Sequence, residues 1–162
     1  MRYVMKQKVL TFTDDFTIRD ADGDPAYRVK GKLLSIGDRL SFRRPDGEEV
    51  ATIRQKLISF SPRYRIYRGD RLQAEVKKRR FTLIREKFKV NMKDGTPDLE
   101  IKGDILDHDY RFEREGREVA RVSKKWVALR DSYGIDVAAD EDDVLILACA
   151  VIIDMISHNA DD

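Results

Sequence analysis

The stretch "VLILACAVII", residues 144–153, decides how this chain is read, because it stands in a sequence whose residues are 38% charged. A run that is apolar on every face of a helix belongs either in a membrane or at the centre of a fold. Spanning a bilayer takes about 20 predominantly apolar residues, and this run is well short of that. Its flanks also lack the Lys, Arg and aromatic residues that anchor a span. Four consecutive acids, Asp140, Glu141, Asp142 and Asp143, precede it and suit the positive end of a helix dipole. The run thus predicts a buried helix over about 140–158. Val144, Leu145, Leu147, Ala148, Val151 and Ile152 are its core positions, and the small residues Ala148, Cys149 and Ala150 admit close neighbours.

The rest of the chain says what surrounds that helix. Glycine turns recur at "DADGD" (20–24), "PDGEE" (45–49), "RGDR" (68–71), "KDGTP" (93–97) and "REGRE" (114–118). A β-branched residue follows each glycine six or seven positions later: Val29, Ile53, Val76, Ile101 and Val122. Asp-Gly and Gly-Asp pairs supply the positive φ that tight hairpins need. The flanks alternate with period two, as Leu72, Ala74 and Val76 do against Gln73, Glu75 and Lys77. The unit is a β-hairpin used five times, with "SYGIDV" (132–137) closing a sixth. Ten to twelve antiparallel strands in one domain of 162 residues leave costly edges unless the sheet closes. A closed sheet of that size encloses more space than its own side chains fill. The apolar helix is expected to occupy it, which makes the fold a mainly β, closed antiparallel barrel of about twelve strands around a C-terminal helix.

Composition narrows the function classes. The single cysteine, Cys149, has no intramolecular disulfide partner, which fits a reducing compartment. The N-terminal "MRYVMKQKVL" has no apolar signal region. The chain is expected in the cytoplasm, either free or peripheral to a membrane. Residues 63–90 hold eleven Lys and Arg against three acids, while residues 131–162 hold nine acids and no Lys or Arg. The two segments either complement each other internally or mark a footprint for an anionic partner. There is no Gly-rich phosphate loop, nucleophile elbow or HExxH motif. No enzyme activity, cofactor or nucleic-acid partner is expected.

With the hairpins and helix in place, "DSYGIDVAADEDDVLILACAVIID" (131–154) resembles the end of the LURP-one-related family. The resemblance implies the fold shared with tubby-like proteins and phospholipid scramblases, a twelve-stranded barrel around a hydrophobic C-terminal helix. Tubby proteins bind phosphoinositide headgroups through basic barrel residues, and scramblases bind calcium in the acidic segment before the equivalent helix. The resemblance therefore implies a basic-wall site and an acidic site.

Both have counterparts in this chain. If the repeat's β-branched residues point inward, Lys30, Lys32, Arg54, Lys56, Lys77, Arg79 and Lys125 point outward at equivalent levels, with Lys78 displaced to the other face or into a bulge. These eight are the candidate anionic-ligand residues. The simpler reading is that they solvate strand faces and block edge pairing. Asp131, Asp136, Asp140 and Asp142 are the calcium candidates; the simpler reading is helix electrostatics and pairing with the basic middle region. Asp154 is expected at a helix end, paired with a strand Arg or Lys. "DADGD" lacks the Glu an EF-hand needs at its twelfth position, where Gly31 stands. His108 and His158 have no cysteine companions for zinc, and Cys149 is read as packing. The expected function is a non-enzymatic binding or tethering module for an anionic ligand or phospholipid headgroup. The alternative is a structural or protein-interaction scaffold.

Overall fold

The computed structural model describes residues 1–6, 15–31, 38–56, 63–79, 87–128 and 131–158. Twelve strands form a closed antiparallel barrel. They are β1 (Arg2–Lys6), β2 (Phe16–Asp20), β3 (Pro25–Gly31), β4 (Arg39–Arg43), β5 (Glu49–Lys56), β6 (Arg63–Arg68), β7 (Arg71–Arg79), β8 (Lys87–Met92), β9 (Leu99–Asp104), β10 (Asp109–Arg114), β11 (Arg117–Ser123) and β12 (Ser132–Val137). Each strand pairs with its neighbour in sequence, and β1 pairs with β12 to close the ring, Val4 opposite Gly134. A 3-10 turn, Lys124–Trp126, links β11 towards β12, and α1 (Asp143–His158) follows.

All five glycine turns join consecutive strands, as the spacing predicts. In the first, Gly23 has φ +88°, and the Asp20 carboxylate accepts from the backbone N–H of Asp22 and Asp24 at 3.0 and 2.9 Å. Such Asx bonding is why Asp is favoured there. Four hairpins carry a register shift next to the turn, at Ile18/Arg19, Phe42/Arg43, Ile66/Tyr67 and Phe112/Glu113. A bulge sharpens local twist, and twist repeated around the sheet helps it close.

The repeat's β-branched residues line the interior: Val29, Ile53, Val76, Ile101 and Val122 are each at most 1% exposed. The helix fills the space they surround. Every residue from Ile146 to Ile153 is fully buried, and Val144 and Leu145 are buried too. The helix begins three residues later than the acidic run suggests, because Asp142 caps it: the carboxylate accepts from Leu145 N–H at 3.1 Å. Among the described residues no helix is long and apolar enough to cross a membrane.

One expectation is corrected inside the barrel. Among the described residues, Asp154 meets Tyr133 and His108 where an Arg or Lys was expected. It lies before the last turn of α1, accepts from the Tyr133 hydroxyl and faces His108 Nε2 at 3.1 Å. His108 sits at φ +50° in the turn between β9 and β10, which directs its ring into the interior against Tyr133, with centroids 4.4 Å apart. An aromatic alcohol and an imidazole fit this enclosed space where a long, strongly hydrated cation would not.

Candidate functional site: the basic outer wall

Strand alternation turns the residue after each inward β-branched position to the outside, and antiparallel register lines these residues up across strands. Arg39, Arg54 and Arg65 stand directly opposite one another on β4, β5 and β6. The next outward row is Lys56, Arg63, Lys77 and Lys89 on β5 to β8. Lys30 on β3 lies opposite Ser41 on β4. Like charges placed directly opposite on neighbouring strands repel, so this wall carries a cost that its own fold only partly offsets.

The offset comes chiefly from Glu75. Burial pushes its carboxyl up, but the hydrogen bond from Arg65 and the nearby Lys56 and Arg63 outweigh this and hold it below the usual carboxylate range. Arg65 Nε donates to Glu75 at 3.1 Å, and Arg63 approaches at 3.5 Å. The Arg54 guanidinium lies over the Tyr67 ring, 5.1 Å from its centroid. Among the described residues, Lys30, Arg39, Arg54 and Lys77 form no ion pair with a carboxylate. The other side of the barrel differs: there Lys102 and Arg111 both hold Glu113 at 2.6 Å, and Arg121 holds Glu118 at 2.7 Å.

Of the eight residues named from sequence, Lys30, Arg54, Lys56 and Lys77 fall on this wall. Lys78 lies opposite buried Phe88, on the inward-facing parity of β7. Lys125 sits in the 3-10 turn after β11, 3.7 Å from Asp109 and away from the others. Lys32 and the Arg79 side chain lie outside the described residues. Arg39, Arg63, Arg65 and Lys89 were not among the candidates. Arg63 and Arg65 could have been found by counting back from Gly69, since they alternate with the inward Tyr64 and Ile66.

The calcium candidates do not converge. Asp131 is exposed at φ +60°, Asp136 pairs with Arg2 at 2.6 Å, Asp140 with Arg117 at 2.7 Å and Asp142 with Arg68 at 2.5 Å. Glu141 reaches Arg114 at 3.2 Å, and Asp143 accepts from the Tyr3 hydroxyl. The run of acids thus fans out to β11, β10, β6 and β1 and fastens the helix start to the rim. Burial holds the Asp142 carboxyl up, but Gln73, the Leu145 N–H and Arg68 outweigh it and keep it below the usual range. Glu141 goes the other way: burial raises it despite Arg114. Among the described residues no three His, Cys, Asp or Glu side chains gather closely enough to hold a metal ion.

Comparison with known proteins agrees with this architecture. The uncharacterized protein YxjI of Bacillus subtilis is 34% identical over 159 residues, covering 98% of this chain and 94% of that protein. The crystal structure of an Arabidopsis thaliana protein superposes with a TM-score of 0.69 at 21% identity, covering 96% of this chain and 91% of that one. That likeness is one of fold. The profile of the LURP-one-related family matches residues 1–154, a span that takes in all twelve strands and the apolar run of the helix. The chain belongs to the LURP-one-related family.

Proposed function

We propose that the protein is a non-enzymatic binding module whose basic wall on β4 to β8 engages anionic phosphoryl groups, those of phospholipid headgroups at a membrane surface. The observation that carries this is the alignment of Arg39, Arg54 and Arg65 directly opposite one another on three adjacent strands. Among the described residues Glu75 is the carboxylate that meets this row of guanidinium groups, which leaves the row poorly compensated, and an anionic surface relieves the repulsion. Arg presents planar donors that match phosphate oxygens. The helix plays no direct part. It fills the barrel and holds the strands in register, so that the wall is rigid before any ligand arrives.

The module works peripherally: several exposed cations, each contributing about 1 kcal/mol near an anionic leaflet, attach it without insertion. Attachment of this kind weakens steeply with salt, because exposed charges are screened over about 8 Å at physiological ionic strength. Co-sedimentation with phosphatidylserine or phosphoinositide vesicles, against phosphatidylcholine vesicles, tests the reading. Salt-sensitive binding to the anionic vesicles alone is expected. No binding at low salt removes the lipid reading and leaves a scaffold role as the better account.

A further inference from the structure

One outward row of the barrel is divided by charge. Lys56, Arg63, Lys77 and Lys89 stand opposite one another on β5 to β8, and the same row continues as Glu100, Glu113 and Glu118 on β9 to β11. The sign changes once, between Lys89 and Glu100. On the acidic side Asp98, Glu100, Glu113 and Glu115, with Lys89 and Gly116, line a cleft of about 160 Å³. Glu113 is held by Lys102 and Arg111, and Lys89 reaches Asp98 at 3.4 Å. The Glu100 side chain remains half exposed beside Lys102, 3.2 Å away.

We propose that this row is a self-complementary docking surface for a second copy of the chain. A two-fold axis parallel to the strands at the β8–β9 boundary reverses the row. Lys89 of one copy then faces the half-exposed Glu100 of the other. The same patch supplies both signs in mirror order, so the contact is isologous and closes at two copies. A partner of single charge is attracted by one half of the row and repelled by the other, and a second copy satisfies both. The barrel wall is convex and the charges are solvent-exposed, so few rungs meet. The contact is therefore weak, concentration-dependent and sensitive to salt. It needs no anionic ligand, and its basic half, Lys77 and Lys89, is shared with the wall that engages the lipid.

Sedimentation equilibrium of the full chain, without lipid, tests this across a range of protein concentrations at low and high ionic strength. At low salt the average mass rises above the monomer's 18.9 kDa towards twice that value, and it returns to the monomer at high salt. Lys89→Glu and Glu100→Lys each weaken association by about tenfold or more. The double variant, which exchanges the two charges, restores it. Circular dichroism confirms that all three variants fold. A monomer at every concentration and salt overturns the proposal, as does association that both single variants keep. Glu100→Lys leaves vesicle binding in place, so failure of the dimer and failure of the lipid reading are told apart.

Discussion

His108 Nε2 lies 3.1 Å from the Asp154 carboxylate inside the barrel, with the two side chains 4% and 5% exposed. The contact joins the β9–β10 turn to the last turns of the central helix across 46 residues of sequence. Removing His108 takes away one of the buried hydrogen-bond partners of Asp154 and leaves it the Tyr133 hydroxyl, which costs about 1–3 kcal/mol. That is a sizeable part of a domain's total stability of about 5–15 kcal/mol. His108→Ala is expected to lower unfolding stability by that amount in urea titration. Replacing both residues with Leu recovers only part of the loss, because the buried Tyr133 hydroxyl then gives up its carboxylate acceptor and keeps the weaker Met5 sulfur. A loss below 1 kcal/mol for His108→Ala would show that the pair does little to fasten the helix.

The helix itself is expected to be indispensable. Its residues from Ile146 to Ile153 are fully buried, and each large apolar side chain of this kind contributes about 1.5–3 kcal/mol. Ending the chain at Asp140, or introducing Leu147→Asp or Ala150→Arg, should give insoluble or unfolded protein. Circular dichroism and gel filtration check this. A truncated chain with a native-like β spectrum would contradict the central-helix account.

The rim contacts of the acidic run should show in acid. The Asp142 carboxyl is held below its ordinary value of 3.8, so its contribution to stability is complete above about pH 5. That contribution is lost as pH falls through the lower folded value. Arg68→Met lets the Asp142 value rise towards normal. The stability gap between native and variant proteins is therefore largest near neutrality and closes in acid, where the carboxyl is protonated in both. A gap that stays constant with pH would assign Arg68's role to its bond with the Val50 carbonyl, 2.9 Å away.

How much of this could be read from sequence follows from the range of each interaction. The five hairpins were legible because Gly23, Gly47, Gly69, Gly95 and Gly116 set local turns and the flanking residues alternate. The buried helix was legible because no face of it is polar. The partner of Asp154 was not, since it depends on a left-handed conformation at His108 and on closure of the whole ring. The basic wall was legible in half. Lys30, Arg54, Lys56 and Lys77 follow from the alternation around each inward residue, as Arg63 and Arg65 also do. The alignment of Arg39 with Arg54 and Arg65 depends on cross-strand register; Lys78 lies on the other face, as expected, and Lys125 leaves the wall because β11 ends at Ser123 and a 3-10 turn follows. The acidic run had the opposite fate: a single cluster in sequence is spread by the barrel over four strands.

The central claim, that the wall on β4 to β8 is an anion-binding surface, is tested most directly by two charge-matched variants in one vesicle assay. Arg54→Glu with Lys77→Glu reverses two charges on the wall, and Lys124→Glu with Lys125→Glu reverses two charges in the 3-10 turn away from it. Surface substitutions of this kind usually change stability by about 0.5 kcal/mol or less each, so both variants should fold. With each cation near an anionic leaflet worth about 1 kcal/mol, the wall variant is expected to lose about thirtyfold or more in affinity for phosphatidylserine vesicles at low salt. The turn variant should stay within a few-fold of the native protein. Equal losses in both variants, or native binding retained by the wall variant, would contradict the account.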